Sequence, residues 1–552
     1  MAELISRIKS LRPLVQEICR ISGTAGASIG IIHHGKVLLY ENFGYRDDEN
    51  KKAPDENTIY YLASLSKSFT ATGISILVKN GQLGWDTPVF QAYKDLAHQD
   101  PEVRARATIL DFLSHRTGLA PKNHLWSQEF GRFSLRRDET IRTVTYLEKI
   151  AQFRHRWIYS NWGYGVADVL IDKLSQSSWE DVLRTHIFEP LGMHRTTTKH
   201  MNDTDDDNVA RGYMALKSGK LLLVPEPDGD EGSIIEGALG VKSCVKDLLR
   251  YYLGFLNDLK AAEEAVPSHG KIAVFPDAAM MIKKHINLSS ESPDLEGWYG
   301  LGWVRTRLPS TLGAIGLNYD FVDRMPVVGR GISGQPICLY HQGSANSFLS
   351  SVYLLPESQS GVVVLTNSMS KNDAADWLGE LYLEEILNSP ERNDYVRLAR
   401  NSAAAAMQLW PAMERELMEK RELHTPMLPL ERYVGRYYNI IGNYHIEVLI
   451  QDDRLVMRFQ REKKIVYPLT HYHYNTFSWL LTHDEDVHVG RFPVTRASFY
   501  LIHFKSQGDD ESGIDSLVWA HDDEVLDGET FFKWDERQVP SLKQFYPGTD
   551  PV

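Results

Sequence analysis

Tyr61-Leu62-Ala63-Ser64-Leu65-Ser66-Lys67-Ser68-Phe69-Thr70, continued by Leu77-Val78-Lys79-Asn80-Gly81, is the stretch on which the reading of this chain turns. Phe69, Gly73, Ile74, Leu77 and Val78 fall at helical spacing, which predicts an amphipathic helix that stops near Asn80-Gly81. At i and i+3, Ser64 and Lys67 share one face of that helix. A serine hydroxyl is a poor nucleophile until a base takes its proton, and a lysine can do so once desolvation or a neighbouring cation lowers its pKa. The spacing alone carries little weight, because Ser6/Lys9, Ser243/Lys246, Ser268/Lys271 and Ser368/Lys371 repeat it. What singles out Ser64 is its company.

Upstream, Ala27–Ile32 and Val37–Phe43 are two apolar runs split by His34-Gly35, the pattern of a hairpin. Downstream, 336–340, 348–355 and 361–366 are strand-like, while most of the chain between is helical in pattern. Strands from both ends can share one sheet covered by helices, an α+β arrangement. From Ala374 to about Leu423 the pattern is helical and charged, until Thr425-Pro426-Met427-Leu428-Pro429 breaks it. Beyond Tyr433 short segments alternate, as in Ile446, Val448 and Ile450, which predicts an antiparallel barrel or sandwich. The expected division is a catalytic domain over 1–370, a helical linker over 371–429 and a β-barrel domain over 430–552; 552 residues exceed what one core usually organises.

A net charge of −13 disfavours nucleic acid and anionic membranes, both polyanions, and leaves small or neutral ligands. The opening residues do not form a signal peptide, and no apolar run is long enough to span a bilayer. Cys19, Cys244 and Cys338 make neither a disulfide framework nor a zinc site, so a reducing cytoplasm is the expected compartment. His471, His473, His483, His488 and His503 lack an accompanying carboxylate pattern, and neither a metal nor any other cofactor is expected. Neither composition nor motif fixes an oligomeric state.

Two further groups follow Ser64-Leu65-Ser66-Lys67 in order: Tyr159-Ser160-Asn161, opening a helical stretch, and His341-Gln342-Gly343, ending a strand-like run. Together the three resemble the S-x-x-K, Y-x-N and K/H-x-G signatures of the serine β-lactamase and penicillin-binding-protein superfamily, in its class C-like branch of β-lactamases, esterases and D-aminopeptidases. Leu113-Ser114-His115-Arg116-Thr117-Gly118-Leu119, Gly237-Ala238-Leu239-Gly240 and Tyr299-Gly300-Leu301-Gly302-Trp303 are similar to that branch too, so the resemblance spans roughly 20–370. It implies a β-lactamase/transpeptidase-like fold and an acyl-enzyme on Ser64, with Lys67 as base or activator. Tyr159 would be a proton shuttle with a lowered pKa, and Asn161 would position Lys67 and the acyl side chain. The N–H groups of Ser64 and of Ser344, next to Gly343, would form the oxyanion hole. The family places no chemistry at His115, which therefore reads as a buried, hydrogen-bonded structural histidine.

One departure redirects the expected substrate. His341 stands where β-lactamases use a lysine against a substrate carboxylate, and a histidine is only partly charged near neutral pH. The resemblance then implies a serine hydrolase of the esterase, amidase or aminopeptidase type acting on an ester or amide of a small molecule. The alternatives are an acyltransferase using the same acyl-enzyme and a catalytically silent penicillin-recognising module. The C-terminal segment from Tyr433 is similar to lipocalin-like modules, and its expected role is a lid or wall for the cleft.

Overall fold

The computed structural model describes residues 1–534 apart from 128, 202–205, 230–231, 265–272, 291–295, 461–463 and 507–512. Of the competing Ser/Lys pairs, Ser268/Lys271 lies outside the described residues.

The N-terminal half, expected from the sequence to be the catalytic one, is built on an antiparallel sheet of β1 (Gly26–His33), β2 (Lys36–Gly44), β3 (Ile286–Asn287), β4 (Trp298–Tyr299), β5 (Val304–Arg307), β6 (Ile337–Ala345), β7 (Phe348–Leu355) and β8 (Ser360–Thr366). Its order is β2-β1-β8-β7-β6-β5-β4-β3, so the hairpin predicted near the N-terminus pairs through β1 with the last strand, Ile29 opposite Val364. Side chains alternate across this sheet as a pleat requires. Val362 and Val364 enter one core, while Val363 and Leu365 enter the other.

The first core holds helices α1 (Ala2–Ser10) and α2 (Arg12–Ser22), which bury Leu4, Ile8, Val15 and Ile18 behind the sheet. The second holds α3 (Ser66–Lys79), α4 (Trp162–Ser175) and α5 (Val245–Glu263). The spacing predicted one apolar face for α3, yet Ser66 through Leu77 are all buried. Its hydroxyls tolerate this because they bond main-chain carbonyls: Ser68 to Leu65, Thr72 to Ser68 and Ser75 to Thr72, at 2.8–3.1 Å. Helix α6 (Ala374–Leu387) is buried along nearly its whole length behind the sheet, and α7 (Tyr395–Ala406) and α8 (Leu409–Lys420) lead on from it.

The C-terminal half is one antiparallel sheet of nine strands: β9 (Gly435–Tyr438), β10 (His445–Gln451), β11 (Arg454–Phe459), β12 (Tyr467–Pro468), β13 (Thr470–His473), β14 (Thr476–Ser478), β15 (Leu501–Lys505), β16 (Ser516–Trp519) and β17 (Glu529–Lys533). The order runs β12-β11-β10-β9-β17-β16-β15-β14-β13. Its two edge strands are thus neighbours in sequence, and the sheet curls into a nearly closed barrel. Phe459, Trp479, Phe499 and Trp519 fill the interior, with ring centroids 5.1–6.2 Å apart. Among the described residues no helix is long and apolar enough to cross a membrane, and no three His, Cys, Asp or Glu side chains gather as metal ligands.

Candidate active site

Ser64 sits in a single 3-10 turn, Ala63–Leu65, that opens α3, and the residue before it has a left-handed backbone (Ala63, φ +50°). A non-glycine residue stays in that region only where its surroundings over-determine it. Here the constraint is visible. Strand β6 presses on the turn so closely that a Cβ on Gly343 would lie 2.4 Å from the Leu62 carbonyl oxygen and 3.1 Å from the Ser64 nitrogen. Only glycine fits, which gives the third motif its physical reason. Ser350 on β7 donates to the same Leu62 carbonyl at 2.9 Å. Ser344, one residue past Gly343, lines the same cavity as Ser64.

Lys67, fully buried, places Nζ 3.0 Å from Ser64 Oγ, 2.7 Å from Asn161 Oδ1 and 3.2 Å from the Ala238 carbonyl oxygen. None of these partners carries a charge, so burial alone acts on the amine and holds its pKa well below the usual lysine range. A neutral amine has two N–H donors and one lone pair. The amide oxygen of Asn161 and the carbonyl of Ala238 can only accept, so the lone pair is left for the Ser64 hydroxyl. Asn161 is fixed in turn, its Nδ2 donating to Asn123 Oδ1 at 3.0 Å. It stands at the N-cap position of α4, but its side chain makes no cap bond and serves Lys67 instead.

Tyr159 donates its phenolic proton to Ser64 Oγ at 2.9 Å. The sequence led us to expect a lowered pKa here, and the structure corrects that. Burial raises the phenol pKa, and the Ser64 hydrogen bond opposes it only in part. The Lys67 amine lies 5.0 Å from the ring centre rather than on the phenol oxygen. In the resting site Tyr159 is therefore a proton donor, Ser64 the link and Lys67 the acceptor.

His341 is buried and neutral, its pKa pushed down to about 3 by burial and then by Lys67. Neither ring nitrogen bonds Tyr159. Nδ1 lies 2.5 Å from the Gln342 carbonyl oxygen, which fixes the proton there, and Nε2 accepts from Tyr299 Oη at 3.0 Å. His115 is buried and accepts the Ser160 N–H at 3.1 Å, with its ring 4.5 Å from that of Tyr159. It thereby holds the turn that carries Tyr159 and Asn161. Sequence reasoning missed Asn123, Tyr299 and Ala238 as partners of the site. The last two lie inside stretches that carried the family resemblance, which is the only signal that pointed to them.

A cavity of about 200 Å³ opens beside Ser64, lined also by Tyr61, Asn123, Leu239, Asn346 and Phe492. None of the described residues lining it is Lys, Arg, Asp or Glu. Phe492 comes from the C-terminal half. An adjoining cavity of about 170 Å³ is walled by Trp157 and Tyr159 on one side and Asp522, Asp523 and Glu524 on the other. The barrel half thus contributes walls to the cleft.

The β-lactamase family model matches residues 11–384, and a domain of unknown function, DUF3471, matches 419–536. The chain belongs to the β-lactamase family and is by class a β-lactamase-type hydrolase. Among its relatives, penicillin-binding protein 4* of Bacillus subtilis is 26% identical over 312 residues, 55% of this chain and 63% of that protein. The unguisins hydrolase ungD of Aspergillus violaceofuscus is 24% identical over 453 residues, 77% of this chain and 74% of its own length. In structure, an octameric penicillin-binding protein homologue from Pyrococcus abyssi superposes with a TM-score of 0.55 at 22% identity, covering 95% of this chain and all of that one. That likeness shows the fold.

Proposed function

We propose that this protein is a serine hydrolase that passes through an acyl-enzyme on Ser64 and acts on an uncharged ester or amide of a small molecule. The observation that carries the reading is the line Tyr159–Ser64–Lys67, in which a buried amine without a counter-charge faces the hydroxyl it must deprotonate. Lys67 takes the Ser64 proton as Oγ bonds to the acyl carbon. Tyr159 gives a proton to the departing oxygen or nitrogen as that bond breaks and recovers one from Lys67. Water then attacks the acyl carbon, releasing the acid and restoring Ser64. The N–H groups of Ser64 and Ser344 stabilise the oxyanion, a contribution of about a hundredfold or more per donor.

The preference for uncharged substrates rests on His341, neutral at any working pH, and on a cavity whose described walls carry no fixed charge. A hydrolytic role has a precedent in name in the unguisins hydrolase. Unpaired Cys19, Cys244 and Cys338 suit a reducing cytoplasm. The test compares p-nitrophenyl esters with a chromogenic cephalosporin at pH 8. Ester turnover should lead by at least about a hundredfold in kcat/KM, roughly 2.7 kcal/mol of transition-state preference. Cephalosporin turnover as fast as ester turnover, and unchanged in His341→Gln, would overturn the preference. An alcohol added to the ester assay reads acyl transfer from the same intermediate.

A further inference from the structure

Most of the acyl cavity is committed to chemistry or to the catalytic core. Ser64, Tyr159 and Asn161 belong to the hydrogen-bond line, and Phe133 and Leu239 are buried in the core behind it. Phe492 differs in origin. It is half-buried, lines the cavity, and arrives from the C-terminal half.

Its backbone is held by three tethers that converge just before it. Asn346, at the turn between β6 and β7 and itself a cavity residue, donates Nδ2 to the Gly490 carbonyl at 2.6 Å. Phe130 N–H donates to the Val489 carbonyl at 3.0 Å. Gly490 has φ +59°, and a Cβ there would lie 2.7–3.1 Å from Phe130, so this approach too admits only glycine. The third tether is Arg491, buried at the mouth of the barrel over the rings of Phe459, Tyr467 and Trp479 at 5.0–5.6 Å. Its guanidinium bonds Glu129 of the catalytic half at 2.8 Å and the Tyr467 phenol at 2.6 Å. The backbone that carries Phe492 is therefore tied to the other half by a buried ion pair directly before it.

We propose that Phe492, carried into the cavity by the Gly490–Arg491 latch of the C-terminal half, sets the size of the acyl group that Ser64 accepts. The inference deepens the acyl-enzyme reading and rests on it. The latch presents an apolar ring to an uncharged cavity, so the selected class is apolar acyl chains, graded by length. One or two methylene groups accepted or refused by such a wall change specificity by about ten to two-hundredfold each way.

The experiment measures kcat/KM for p-nitrophenyl acetate, butyrate and octanoate in the full chain and in Phe492→Ala and Phe492→Trp. Removing the ring should raise the octanoate-to-acetate ratio by about tenfold or more, and the larger ring should lower it, opposite shifts that a merely loosened fold would not produce. Stoichiometric fluorophosphonate labelling of Ser64 in each variant reads whether the site is assembled. If the alanine variant fails to label, Phe492→Leu replaces it, and if the tryptophan variant fails, Phe492→Tyr does. Normal labelling with an unchanged ratio in both directions overturns the proposal alone. No labelling in the parent chain overturns the acyl-enzyme reading, and the proposal with it.

Discussion

Lys67 and Lys122 are both buried, with 0% and 4% of their surface exposed, yet the two regions around them treat charge in opposite ways. Around Lys67, in the catalytic core, every contacting oxygen is neutral, and burial drives the amine toward its uncharged form. Around Lys122, in the seam between the halves, burial also opposes the charge, but Glu529 at 3.0 Å, with Glu148 and Asp522, more than offsets it and holds the ammonium above its usual range. Glu529 falls correspondingly to about 2, burial being outweighed first by Lys122 and then by His521. Desolvation is common to both, so the counter-ion decides whether a buried lysine is a base or a clamp.

The largest effect should come from denying Lys67 its neutral state. Lys67→Arg puts at the site a cation that cannot lose its proton, and Lys67→Met removes the base without burying a charge; in each folded variant single-turnover acylation of Ser64 should slow by as much as about ten-thousandfold. A Lys67→Arg enzyme acylating at near-parental rate would remove the base from the account. Tyr159→Phe, which deletes the donor at the other end of the line, should cost about a hundred to ten-thousandfold in turnover. Near-normal acylation and deacylation in a folded variant would return Tyr159 to packing.

In the seam the same logic reads out as stability. Glu529→Gln leaves the Lys122 ammonium buried without its closest counter-charge, and the free energy of unfolding in urea should fall by about 3 kcal/mol. Adding Lys122→Met should restore part of that loss, since the charge is then gone as well. Equal stability in all three proteins would mean the pair is solvated in a way the geometry does not suggest.

The smallest effect is a missing one. A base at Lys67, as proposed, must be neutral to act, so Ser64 labelling should rise with pH through the depressed lysine pKa and reach its plateau well below 10.5, the ordinary lysine value. His341, down at about 3, stays neutral throughout. Between about pH 5 and 8, therefore, His341→Gln should alter the rate but not the shape of the profile. An inflection near pH 6.5 that vanishes in His341→Gln would show the histidine titrating after all.

The catalytic core was legible in the sequence because its chemistry is written in short motifs. Ser64 and Lys67 meet within one helical turn, and the β1–β2 hairpin declares itself by apolar runs around His34-Gly35, both of which take positive φ. Two features escaped for physical reasons. The hydroxyls on α3 look like a solvated face until their backbone acceptors are seen, and the lowered pKa expected for Tyr159 required a cation on its oxygen that folding did not place there. The seam was the least legible region. Glu129 and Arg491 are 362 positions apart, with no periodicity to link them, and Lys122 and Phe130 take left-handed backbones that only the assembled pair of halves can impose. The expected wall from the C-terminal half is present in Phe492, although nothing in its local sequence marks that residue.

The central claim is that Ser64 is the nucleophile of an acyl-enzyme, and intact-mass measurement after a fluorophosphonate tests it most directly. The account predicts one adduct per chain, mapped to Ser64, retained in Ser66→Ala and absent in Ser64→Ala. An adduct that survives in Ser64→Ala, or one that is lost in Ser66→Ala alone, would contradict it.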